Sequence, residues 1–115
     1  KNELVTIPES FGMLKKLEFL DLSENFMTYL PNNMNELESL TYLNLADNRL
    51  NELPDSICFM PKLVTLDLSN NNLKALPKEF IRLSSLKELN LKGNKLTGKQ
   101  KAFIKSQLQY CEIKF

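Results

Sequence analysis

The sequence predicts an α/β solenoid, with a parallel β-sheet along one wall and single helical or 3₁₀ turns along the opposite wall. Three observations carry that prediction. First, one spelling recurs at a fixed interval of 23 residues: Leu17-x-x-Leu20-x-Leu22-x-x-Asn25-x-Met27 returns without a gap from Leu40, Leu63 and Leu86. Second, prolines keep the same interval at Pro8, Pro31, Pro54 and Pro77, each behind an aliphatic residue: Ile7, Leu30, Leu53 or Leu76. Third, each proline is followed by an apolar pair three residues apart, namely Phe11 and Leu14, Met34 and Leu37, Ile57 and Met60, Phe80 and Leu83. A period of this length marks a stack of small structural units, each too small to bury its own apolar face.

Taken in order, residues 1–16 form a partial first unit, followed by repeats at 17–39, 40–62, 63–85 and 86–109 and a cap over 97–115. Leucines at alternate positions, such as Leu20 and Leu22, point to one side of a strand while Phe19, Asp21 and Ser23 point to the other. Strands are expected near 18–22, 41–45, 64–68, 87–91 and 111–115. One such strand cannot bury its leucines alone, so neighbouring units stack in parallel about 4.8 Å apart and cover one another. Asn25, Asn48, Asn71 and Asn94 stand where the chain leaves the strand. Their amides both donate and accept, which suits backbone groups of the bend and of the next unit better than a glycan or ligand. Each proline presets φ where the return arc begins and an N–H is dispensable. The apolar pairs then close the core from behind as one helical or 3₁₀ turn.

The tail follows a different pattern. Thr97-x-x-Gln100 spells a capping box, and Phe103, Ile104 and Leu108 follow at helical spacing. Tyr110-x-x-Ile113-x-Phe115 then repeats the strand spelling one residue late, with aromatics where leucines stood. A last unit of 24 residues with a true helix is expected to close the stack.

These motifs resemble the leucine-rich repeat family in its 23-residue form with a Leu-Pro step, tightly over residues 2–96 and loosely beyond. The resemblance implies a right-handed, horseshoe-shaped arc with the parallel sheet on its concave side and short turns on its convex side. It also implies a protein-binding scaffold, since such repeats occur in Ras-pathway regulators and in many bacterial proteins. The helix-then-strand ending is similar to the tails of small bacterial members.

Composition narrows the classes further. The chain has 115 residues, 43% of them apolar and 25% charged, as in one ordinary globular domain. No apolar run approaches the roughly 18 residues of a membrane span, and no leader precedes the repeats. The start at Lys1, inside half a repeat, points to processing or to missing upstream repeats. Two cysteines, Cys58 and Cys111, lie more than two units apart, so no intrachain disulfide is expected. Free thiols favour the cytoplasm, while the bacterial character of the tail leaves a secreted or cell-surface setting as the alternative. There is no histidine, which removes Ser-His and Cys-His catalysis and the commonest metal ligand. Asp21 and Asp67 stand two strands apart, roughly 9 to 10 Å, wide for two carboxylates working on one bond. Neither the three glycines nor the two cysteines form a phosphate loop or metal motif. No enzyme, cofactor or metal is expected.

The outward strand positions are the candidate site. One column reads Phe19, Tyr42, Thr65 and Glu88, the other Asp21, Asn44, Asp67 and Asn90. The second suits a solvated sheet face as well as a binding one. In the first, Phe19 and Tyr42 should stand side by side in water, and exposed aromatics are favoured interface anchors. Phe26 and Tyr29 are further off-core aromatics of the same unit, serving either a partner or a missing repeat. Charge is divided: residues 1–57 hold 4 basic and 10 acidic side chains, residues 58–115 hold 11 and 4. That polarity serves either solubility alone or the orientation of an oppositely polarised partner. Lysines without interleaved arginines or aromatics make nucleic acid a poor match. A protein partner on the concave face is thus expected, with self-association through the uncapped first strand as a further possibility and a purely structural segment of a larger repeat protein as the alternative.

Overall fold

The computed structural model describes residues 2–115; Lys1, where the incomplete first unit begins, lies outside them. Five strands form one parallel sheet in sequence order: β1 (Phe19–Asp21), β2 (Tyr42–Asn44), β3 (Thr65–Asp67), β4 (Glu88–Asn90) and β5 (Glu112–Lys114). Each is two residues shorter than the sequence suggests. The ladder nevertheless runs past them at both ends, since Thr41 N donates to Glu18 O and Leu22 N donates to Asn44 O. The register follows the repeat, with Phe19 opposite Tyr42, Thr65 and Glu88 in succession, and the 24-residue step then brings Glu88 opposite Glu112.

Behind the sheet the return arcs form 3₁₀ turns at Glu9–Met13, Met34–Glu36, Asp55–Phe59 and Lys78–Arg82, three of them preceded directly by the periodic proline. One continuous core lies between the walls, holding Leu43, Leu45, Leu66 and Leu68 from the strands with Met34, Leu37, Ile57 and Phe80 from the turns. The first unit departs from this pattern: Leu14, expected to close the core, is 44% exposed, and Leu17 and Leu20 are only half-buried. No coil among the described residues covers them on that side, and β1 is paired only with β2.

The asparagine column runs inside the core as a ladder. Asn48 Oδ1 accepts from Met27 N at 3.0 Å, and its Nδ2 donates to Leu22 O, Leu45 O and Ala46 O. Asn71 makes the equivalent contacts with Leu50 N, Leu45 O and Leu68 O. The spacing predicts bonds to the bend and to the next unit; the bend contacts are made, and the bonds between units run to the preceding coil instead.

Helix α1 (Gly98–Gln107) begins at Thr97, whose hydroxyl accepts from Gln100 N. Ile104 and Leu108 are buried as expected, whereas Phe103 is 60% exposed. Tyr110 does not replace a core leucine either: a turn in which Cys111 N donates to Leu108 O carries it outward, 98% exposed, while Ile113 and Phe115 pack on the core.

Candidate concave binding surface

The outward columns assemble as the register requires. Phe19 and Tyr42 stack face to face, ring centroids 4.2 Å apart and planes 2° from parallel. Phe19 remains 58% exposed, and Tyr42 is half-buried. Beyond them Thr65 Oγ1 donates to Glu88 Oε1 at 3.1 Å. The column therefore changes from a flat apolar platform at β1 and β2 to a polar, acidic surface at β3 and β4.

Asp21, Asn44, Asp67 and Asn90 prove to have a local structural task. Each Oδ1 accepts from the backbone N–H two residues on, from Ser23, Ala46, Ser69 and Lys92 respectively, at 2.9–3.1 Å. This is the Asx turn, which short polar side chains form against their own backbone. It ends each strand, and the chain then passes through a left-handed residue: Glu24, Asp47, Asn70 and Gly93, with φ from 56° to 71°. Ser23 and Ser69 add hydroxyl donors to Asp21 and Asp67. The O–H and N–H of Ser23 together hold the Asp21 carboxyl below its ordinary range, by favouring the anion. An Asp or Asn recurring two places after Phe19, Tyr42, Thr65 and Glu88, with Asp, Asn or Gly three places further on in all units but the first, was the available sequence signal for this turn.

The sheet also carries a shallow depression of about 120 Å³. Of the expected residues it gathers Tyr42, Thr65, Asp67, Glu88 and Asn90, while Phe19, Asp21 and Asn44 lie outside it. Two members were missed, Glu112 and Lys114 of β5. They continue the same two outward columns by register, but the extra residue in the last unit shifts them off the 23-residue interval. Phe26, among the off-core aromatics, is covered by Arg49, whose guanidinium carbon lies 4.5 Å from the ring centroid. That cation–π contact accounts for part of its apolar surface without a partner. Both thiols are free, and burial pushes the Cys58 thiol up to about 11, helped by Asp55 and Glu79.

A family model described as "Leucine rich repeat" matches residues 1–50 and 38–96. The chain belongs to the leucine-rich repeat family. It is also similar in structure to the leucine-rich repeat protein LIC12759 of Leptospira interrogans, with 40% identity, a TM-score of 0.96 and 99% of this chain covered. The match spans 29% of that protein's length. No curated protein matches the chain significantly in sequence. Leucine-rich repeats are in general protein-interaction scaffolds rather than enzymes, and the parallel sheet with its 3₁₀ turns is the solenoid of this family. No helix among the described residues is long and apolar enough to cross a membrane.

Proposed function

We propose that residues 1–115 act as one protein-interaction module that grips a protein partner on the concave face of the sheet and catalyses no reaction. Phe19 and Tyr42 anchor the partner, Thr65 and Glu88 extend the contact, and Asp21, Asn44, Asp67 and Asn90 offer the carboxylate or amide capacity left over from their turns. The stacked Phe19–Tyr42 pair carries this reading. A rigid aromatic platform that still exposes apolar surface loses little entropy on binding, and interface energy concentrates on such residues.

The test is capture of a protein from a native lysate by the immobilised chain, compared with the Phe19→Ala/Tyr42→Ala double variant. Capture should fall by about tenfold or more, the loss of one hot spot, with the circular dichroism spectrum unchanged. Equal capture by both proteins would instead make the chain a structural segment of a larger repeat array. Among the described residues the outer side of β1 carries no strand, and that edge is where a second copy would join. A monomer in equilibrium sedimentation at high micromolar concentration would refute that self-association.

A further inference from the structure

We propose that the apolar cavity between the last Leu-Pro arc and helix α1 is a second binding site, which takes an acidic peptide segment through one apolar anchor side chain. The cavity holds about 300 Å³, the lower end of the range of roughly 300–1,000 Å³ typical of ligand pockets. Its walls are Pro77, Phe80, Ile81, Phe103 and Ile104, and no strand residue lines it, so it is separate from the concave face. The core does not need all of these walls. Ile104 and Phe80 are buried, but Phe103 and Ile81 are 60% and 48% exposed.

A polar side chain stands in the wall of the same cavity. Gln100 lines it, and its Oε1 is buried without a hydrogen-bond partner. In a completed capping box that oxygen would accept from Thr97 N; here only the other half is made, Gln100 N to Thr97 Oγ1. A buried acceptor without a donor is unfavourable, and turning the Gln100 amide so that this oxygen reaches the cavity lets an occupant donate to it. The two ends of a primary amide exchange by a half-turn, so the best occupant supplies both a donor and an acceptor. A peptide backbone does so; a hydrocarbon chain does not.

The surroundings select the sign of the peptide. Lys78 lines the cavity, and Lys74, Lys99 and Lys101 adjoin its lining residues in sequence. The one carboxylate in the segments 74–82 and 99–108, Glu79, is engaged by Arg82. Both walls of the cavity thus come from basic segments, and an apolar side chain flanked by aspartate or glutamate meets an apolar socket edged by Lys78, a complementarity that favours encounter and rejects basic sequences.

The chain contains no tryptophan, so a capped peptide with one tryptophan between aspartates reports its own burial by fluorescence. Titrated with the full chain, it should show a saturable blue shift with Kd below about 1 mM. Lys78→Glu and Phe103→Ala, both at exposed positions, should each weaken binding by about fivefold or more, and a lysine-flanked peptide should bind about tenfold more weakly. The Phe19→Ala/Tyr42→Ala variant should bind the peptide unchanged, which separates this site from the concave one. Four results would overturn the proposal: no saturable shift, equal affinity for the lysine-flanked peptide, loss of binding in the Phe19→Ala/Tyr42→Ala variant, or retention on phosphatidylglycerol vesicles without peptide binding.

Discussion

The two faces of the same sheet obey different rules. On the inner face Leu20, Leu43, Leu66 and Leu89 are identical and followed by identical asparagines; on the outer face Phe19, Tyr42, Thr65 and Glu88 share neither size nor charge. Each inner residue packs against a copy of itself one coil away, so a change in one unit leaves a void or an unpaired group in two. An outer residue meets water and unlike neighbours on the adjacent strands. Repetition therefore marks what holds the stack together, and departure from repetition marks what is specific to this chain.

The largest effect that would sharpen this contrast is loss of an inner leucine. Leu43, fully buried between β1 and β3, should cost about 2–5 kcal/mol on replacement by alanine, measured by urea denaturation. Leu20→Ala in the half-buried first coil should cost distinctly less. Equal losses at both would mean that burial does not set the energy along the stack.

The asparagine ladder comes next. Asn48→Ala removes the acceptor for Met27 N and the donor to three carbonyls, and orphaned buried groups cost roughly 1–3 kcal/mol. Asn94→Ala, where the side chain is only partly buried, should lie at the low end. If Asn48→Ala were neutral, water would be substituting for the amide and the inner face would be less demanding than its uniformity indicates.

A smaller test of the interior uses pH. Unfolding releases Cys58 to a thiol of ordinary pKa near 8.5–9, whereas in the fold its desolvated thiol is pushed up to about 11. The raised folded value favours the protonated form. Its contribution is fully present below the unfolded pKa and is lost as pH rises from about 9 towards 11, at a slope of at most about 1.4 kcal/mol per pH unit. Relative to Cys58→Ala, the native chain should lose stability more steeply across that window; parallel curves would refute the desolvation account.

The smallest stability change is expected on the outer face. Phe19→Ala and Tyr42→Ala remove a cross-strand pair worth about 0.2–1 kcal/mol. A much larger loss would mean that the rings hold the sheet together, breaking the distinction between its faces.

Much of this architecture was legible because each unit's environment is another unit. The 23-residue spacing of Leu20, Leu43, Leu66 and Leu89 implies a parallel register, and the register implies the Phe19–Tyr42 stack. The candidate columns were legible for the same reason, but their tasks were not. Asp21 and its successors looked like solvated surface because a bond from Oδ1 to the N–H two residues on leaves no trace in hydrophobic pattern. Glu112 and Lys114 were missed because the tail breaks the interval on which the columns were counted.

By itself, then, the sequence determined the coil, its repeat, the buried leucines and the ladder, since periodic apolar residues have one economical way to leave water and that way is local and self-similar. Only the tertiary structure decided matters where that symmetry fails. It turned Tyr110 and Phe103 outward and placed Gln100 in the wall of a cavity. These outcomes depend on how a helix of different pitch seats against a 3₁₀ turn, a packing of unlike surfaces that no periodicity encodes.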